Sequence, residues 1–262
     1  MPVKEPAPVQ KECMILLHLR AADCSEWVES NGWEKRVLCG RFTLRTSASL
    51  WGQLFFTNMA PQADSPRFNI APTQTIACVH RDAEAGVVQL AAYRWGLVPA
   101  WANDIGIGSR MINARSETLD SKPSFKQAFM TRRCLIPMDG YYEWVQTPDG
   151  KQPFLIEPAD GSVQFMAGLW EQNKRIDSEK TIQSCTIITT SANASTAHLH
   201  PRMPVFLQKS DHSQWLDPHA RDLGTLKRLL RPAVEDLLRL TPVSQHVNSP
   251  RNEDAQCVLP LE

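Results

Sequence analysis

Thr75-Ile76-Ala77-Cys78-Val79-His80-Arg81, Asp82-Ala83-Glu84-Ala85-Gly86 and Val87-Val88-Gln89-Leu90-Ala91-Ala92-Tyr93-Arg94, taken in succession, decide the fold class. Two runs rich in β-branched and aromatic residues flank a short polar loop that ends in glycine, the pattern of a hairpin. Residues 133–137 and 140–145 read as a second hairpin turning at Met138-Asp139-Gly140. Further strands are expected at 154–157, 163–167 and 186–190. A short strand at 111–115 sets Asn113 and Arg115 on one face, because side chains alternate with period two. Helices are fewer. Ser124 with Gln127 forms a capping-box signature for a short helix through Phe129. Two more helices are expected at 222–230, ended by Pro232, and at 233–240, before Pro242. No β-α-β alternation occurs, so the class is strand-rich α+β.

The chain has 262 residues, 42% of them hydrophobic, enough for one sizeable core. Residues 1–37 read as an N-terminal arm, with Pro2, Pro6 and Pro8 ahead of mixed charge and Trp27 and Trp33; residues 38–262 read as one domain. The 28 basic and 28 acidic side chains balance, so composition gives no overall footprint for a polyanion. Locally, from 94 to 133, Arg94, Arg110, Arg115, Lys122, Lys126, Arg132 and Arg133 face Asp104, Glu117 and Asp120, an excess of 7 − 3 = +4. Such a run is either a solvated face or a binding surface. The seven cysteines (Cys13, Cys24, Cys39, Cys78, Cys134, Cys185 and Cys257) contain no C-x-x-C pair, which argues for a reducing compartment and against a disulfide framework or a zinc site. Cys78, Cys134 and Cys185 lie in apolar strand-like runs and read as small core residues. No apolar run of about 18 residues is present to span a membrane, and residues 14–19 are too short for a secretory signal. The expected location is cytoplasmic, at the nucleoid.

The segment Cys39-Gly40-Arg41-Phe42-Thr43 is one of a series of ordered blocks. The others are Arg67-Phe68-Asn69-Ile70-Ala71-Pro72, Arg94-Trp95-Gly96-Leu97-Val98-Pro99-Ala100-Trp101, Ile112-Asn113-Ala114-Arg115-Ser116-Glu117-Thr118, Arg133-Cys134-Leu135-Ile136-Pro137 and Gly140-Tyr141-Tyr142-Glu143-Trp144. Ala167-Gly168-Leu169-Trp170-Glu171, Thr189-Thr190-Ser191-Ala192-Asn193, His200-Pro201-Arg202-Met203-Pro204 and Val247-Asn248-Ser249-Pro250 complete the series. Over residues 38–250 the chain resembles the SOS-response-associated peptidase (SRAP) family of abasic-site processing proteins. The resemblance implies a single domain built on a curved, barrel-like mixed or antiparallel sheet with flanking helices. It also implies a covalent sensor of abasic sites in single-stranded DNA, able to process its own N-terminus and to carry out lyase-like Schiff-base chemistry. Replication-fork proteins are further partners to consider; no metal, organic cofactor or membrane is expected.

The chemistry implied for Cys39 needs it as the first residue. A free α-amine, with a reference pKa of about 7.7, and a thiol, with one of about 8.5, can trap an aldehyde as an imine and then as a thiazolidine ring. The resemblance makes Glu143 the acid/base for opening the sugar ring, in aromatic surroundings expected to raise its pKa. It makes His200 the proton shuttle, in preference to nearby His198, and sets the Asn113 amide beside the cysteine. Read from residues alone, Glu143 is an outward-facing strand residue and His200 a surface histidine. Arg41, Arg115 and Arg202, with Arg132 or Arg133, would grip phosphates. Trp95 and Trp101 would stack on unpaired bases or else belong to the core. Thr189, Thr190 and Asn193 would line the pocket or simply form a turn.

The family pattern places cysteine directly after the initiator methionine, whereas Leu38 precedes Cys39 here. Three readings stand at this point. Translation starts at position 38, from a TTG or CTG codon. Alternatively, the chain cleaves itself between Leu38 and Cys39. In the third, the preceding residues stay and cap the cysteine, leaving a noncovalent single-stranded-DNA-binding module. A cysteine peptidase acting on other proteins through Cys39, His200 and Glu143 is a further alternative.

Overall fold

The computed structural model describes residues 40–55, 65–148 and 150–261, so Cys39 and the arm at 1–37 lie outside the described residues. Among those described, the strands run in chain order β1 (Phe42–Leu44), β2 (Arg67–Ile70), β3 (Thr75–Arg81), β4 (Val88–Trp95), β5 (Asn113–Arg115) and β6 (Arg133–Met138). They continue as β7 (Gly140–Thr147), β8 (Gly150–Pro158), β9 (Gln164–Asn173), β10 (Ile182–Ser191), β11 (Arg202–Pro204) and β12 (Leu238–Pro242). The α-helices are short: α1 (Ala48–Trp51), α2 (Pro123–Thr131), α3 (His212–Leu216) and α4 (Leu223–Arg228).

Two sheets result. One has the order β12-β8-β7-β1-β2. The other runs β10-β4-β3-β6-β9, and pairing of β9 back onto β10 closes these strands into a five-stranded barrel. Closure removes the exposed edges that an open sheet would present. The barrel is mixed, since β10 runs parallel to β4 and antiparallel to β9. The class is therefore α+β, with a barrel-like core as expected.

The first hairpin is observed from Thr75↔Arg94 to Arg81↔Val88. Its loop turns at Gly86, where φ is 68°, in the left-handed region that glycine enters without a Cβ clash. Asp82 Oδ1 fixes the same loop by accepting from Glu84 N at 2.9 Å and Ala85 N at 2.7 Å.

The second hairpin does not form. β6 pairs with β3 and β9 in the barrel, while β7 pairs with β1 and β8 in the other sheet. Asp139 is the reason the chain crosses over there. Its buried carboxylate accepts from the Thr43 hydroxyl, from Arg45 N at 2.6 Å and from Thr46 N at 2.8 Å, all on the segment that starts and follows β1. Side-chain hydrogen bonds to a neighbouring strand thus replace the ladder that a turn would have made.

The helix expected at 233–240 is likewise corrected. Residues Glu235–Leu237 form a single 3-10 turn, and β12 follows, with Leu240 opposite Ile156 and Leu238 opposite Pro158 on β8. Leu238 and Leu240 share a strand face at period two, which the cluster of leucines concealed. α2 starts on Pro123 at its first turn with Lys122 as a cap that makes no side-chain hydrogen bond, so the capping box at Ser124 is not used. The 222–230 helix is observed as α4, its N-cap Asp222 accepting from Thr225 N at 3.1 Å.

Both faces of the barrel strands are apolar. Cys78, Cys134 and Cys185 are fully buried and pack in one cluster with Tyr93, Trp95 and Ile187, which also takes Phe42, Tyr141 and Ile156 from the first sheet. The intervening residues Val79, Leu135, Leu169 and Ile188 pack in a second cluster under α1, α2 and α3. The first cluster therefore joins the two sheets and fixes where β1 begins.

Candidate active site

The C-terminal half of β10 collects five of the sequence-derived site residues, because it carries a different short strand on each flank. Ile187↔Asn113, Ile188↔Ala114 and Thr189↔Arg115 pair it with β5 in parallel. On the other flank, Thr189↔Pro204, Thr190↔Met203 and Ser191↔Arg202 pair it with β11. Asn113, Arg115, Thr189, Thr190 and Arg202 are thus brought together by backbone pairing alone. His200 enters β11 from a turn in which its amide donates to Thr196 O.

His200 is buried and its ring is oriented from its own chain. Arg202 N donates to Nδ1 at 3.0 Å. Nδ1 also lies 3.2 Å from Arg202 O, so the ring edge is held against the Arg202 main chain. The surface-histidine reading is overturned by this burial, whereas His198 is exposed.

Glu143 lies on β7, in the other sheet. The register Phe42↔Tyr141, with Tyr142 N donating to Arg41 O at 3.0 Å, brings Gly40 abreast of Glu143. Glu143 shares a strand face with Tyr141, whose ring lies 6.2 Å from that of Phe206, just beyond β11. It is only 5% exposed, so the outward-facing reading is excluded. Gly40 therefore lies abreast of a buried carboxyl.

The basic residues divide into those facing solvent and those used by the fold. Arg115 is exposed, as are Arg110, Lys122 and Lys126, which account for the local positive excess. Arg202 is nearly covered: Glu117 accepts from it bidentately at 2.6 and 3.0 Å, and Thr189 O accepts at 2.6 Å. The hydrogen bond from Arg202 holds the Glu117 carboxyl below the usual range. Arg132 pairs with Glu171 at 2.7 Å.

Arg133 does not reach a phosphate. Its guanidinium is buried and donates to Trp215 O at 2.7 Å, Phe129 O at 2.6 Å, Met130 O at 2.8 Å and Asp217 O. Burial pushes its pKa down to about 10. Arg41 is also occupied, donating to Asn69 Oδ1 at 2.8 Å and Val247 O at 3.0 Å, with its guanidinium 5.9 Å above the Trp144 ring. Trp95 is fully buried, donates through Nε1 to Ile112 O at 2.9 Å and packs edge-on to Phe42, so it is a core residue. Trp101 is the opposite case, a large apolar ring left 49% exposed. Asn193 forms the turn after β10: Oδ1 accepts from Thr196 N and Ser195 Oγ, while Nδ2 donates to Ala233 O.

A family model described as SOS response associated peptidase (SRAP) matches residues 38–250. The chain belongs to the SRAP family. It is 37% identical over 224 residues to the Bacillus subtilis abasic site processing protein YoqW, covering 84% of this chain and 99% of that one. It is 31% identical over 207 residues to the Gallus gallus abasic site processing protein HMCES, covering 70% of this chain and 61% of that one. A protein from Bacteroides thetaiotaomicron shares the fold with a TM-score of 0.74 at 22% identity, over 86% of this chain and all of the other.

Two contributors to this SRAP site escaped the sequence reading. Glu117, inside Ala114-Arg115-Ser116-Glu117, aligns Arg202. Asn69 ties the start of β1 to the C-terminal segment: beyond accepting from Arg41, it donates to Val247 O, Ser249 O and Asn252 O at 3.2, 2.9 and 2.8 Å. Both lie in quoted motifs, but their work is visible only across more than eighty residues of chain.

Proposed function

We propose that this protein traps abasic sites in single-stranded DNA covalently, through Cys39 exposed as an N-terminal residue. The observation that carries the reading is the arrival of β1 beside buried Glu143, on a fold that also gathers Asn113, His200, Thr189 and Thr190 at the end of β10. Curated relatives named abasic site processing proteins support the substrate.

The ring-opened sugar of an abasic site offers an aldehyde at C1′. The Cys39 α-amine adds to it, the carbinolamine loses water to give an imine, and the thiol adds to the imine carbon to close the thiazolidine. The net change is loss of one water. Glu143 supplies and removes protons during ring opening and N-terminal self-processing, and His200 does so for the carbinolamine and for reversal. Asn113 hydrogen-bonds the sugar or the Cys39 carbonyl. Arg115 meets phosphate and Trp101 stacks on an unpaired base, contacts that bind without reading sequence. Translation from position 38 followed by removal of the initiator methionine, or self-cleavage after Leu38, exposes the cysteine.

Denaturing electrophoresis tests this with abasic and intact oligonucleotides of one sequence. The proposal expects abasic DNA to stay attached and intact DNA to run free. Release of both, with salt-sensitive binding under native conditions, would leave the noncovalent module; turnover of unrelated peptides would favour the peptidase.

A further inference from the structure

Away from that site, the C-terminal segment gathers three side chains of metal-binding type. His246 lies in the 3-10 turn Gln245–Asn248 and Cys257 in the turn Ala255–Val258, which Asp254 caps through Oδ1 to Gln256 N at 2.9 Å. The capping leaves Asp254 Oδ2 turned to His246 Nε2 at 3.1 Å. One ligand atom from each of His246, Asp254 and Cys257 lies within 4.8 Å of the other two. Two turns already set by main-chain and cap hydrogen bonds therefore hold an N, O, S donor set, and closing a chelate within so short a loop costs little chain entropy.

We propose that His246, Asp254 and Cys257 form a zinc site with one position open to solvent. The donor set suits a borderline-soft cation that takes four ligands at roughly 2.0–2.3 Å, and the separations contract to that geometry by side-chain rotation. Access is from the side of His246 and Asp254, whose side chains are 28% and 56% exposed, while the Cys257 thiol closes the buried side. Binding takes the Cys257 proton to solvent and places the ring proton on Nδ1. Asn252 Nδ2 then gives up its 3.2 Å contact with Nδ1 and keeps its 2.7 Å bond to His246 O. Deprotonation ends the 3.4 Å bond from Cys257 Sγ to Asn252 O, while the carbonyls of Val247 and Ser249 stay on Asn69. The absence of a C-x-x-C pair hides this site from a sequence scan, since its ligands are His246-x7-Asp254-x2-Cys257.

Cobalt(II) titration of the reduced, metal-free full chain tests the proposal, with Cys13, Cys24 and Cys39 replaced by serine to silence thiols elsewhere. The expected result is a saturable thiolate-to-cobalt charge-transfer band at one equivalent, displaced by zinc. Cys257→Ser should abolish the band. His246→Gln and Asp254→Asn, both at the surface and the second able to keep the cap, should weaken zinc binding on the order of 10-fold or more. Absence of the band, or a band that survives Cys257→Ser, would overturn the site.

Discussion

Trp95 and Trp101 flank the same proline-containing segment, yet the structure gives them opposite duties, and alanine at each position should separate stability from binding. Trp95 is fully buried against Phe42 and its Nε1 satisfies Ile112 O. Truncation leaves a cavity and an orphaned carbonyl and should cost about 3–5 kcal/mol of stability, a large share of a typical total of about 5–15 kcal/mol. Trp101 is 49% exposed and its main chain stays anchored by Arg175 Nη1 to Trp101 O at 3.3 Å. Trp101→Ala should therefore leave the urea midpoint nearly unchanged. A lost base stack is worth about 1–3 kcal/mol, so affinity for single-stranded DNA should fall about 5- to 160-fold. Fluorescence anisotropy with a labelled oligonucleotide, paired with urea melts, reads both quantities. A Trp101→Ala protein that binds within twofold of the parent would refute the stacking assignment, and one that melts like Trp95→Ala would refute its surface placement.

Arg115→Gln should weaken binding to abasic and intact strands alike and reduce the salt slope of log K by about one, as expected for one phosphate contact. Asn69→Ala should destabilise the fold by at least about 2 kcal/mol in denaturant melts, because three carbonyls and Arg41 lose a buried partner. Burial alone would raise the Asp139 carboxyl, but hydrogen bonds from Thr43 and Thr46 and the Arg45 charge outweigh it and hold the pKa low. A depressed native pKa adds stability above the unfolded value of about 3.9 and loses it as pH falls through the native value. Melting midpoints should accordingly drop below about pH 4 in the parent, and Asp139→Asn should flatten that part of the profile.

The local elements were legible wherever pattern and pairing coincide. The β3–β4 hairpin could be read because its alternation and its glycine loop are contiguous, and α4 because Asp222 and Pro232 bracket it. Asp139 defeated the same reasoning: Met138-Asp139-Gly140 has turn chemistry, but the carboxylate is claimed by Thr43, Arg45 and Thr46 nearly a hundred residues away. Leu237, Leu238 and Leu240 fit a helical face as well as a strand face, and only β8 decides between them. For the site, motif residues located the end of β10, while their division of labour was not readable. Arg115 and Arg133 look equivalent on paper. One faces solvent and the other is enclosed by four carbonyls, a distinction made by α2 and α3 packing over β6.

The central claim rests on one atom set, the amine and thiol of Cys39. Intact mass spectrometry of the denatured product, after incubation of protein made from its own gene and upstream region with an abasic oligonucleotide, addresses it directly. The account predicts a single adduct equal to the chain beginning at Cys39 plus the oligonucleotide less one water. A chain that retains Leu38 and earlier residues, or an absence of any adduct that survives denaturation, would contradict it.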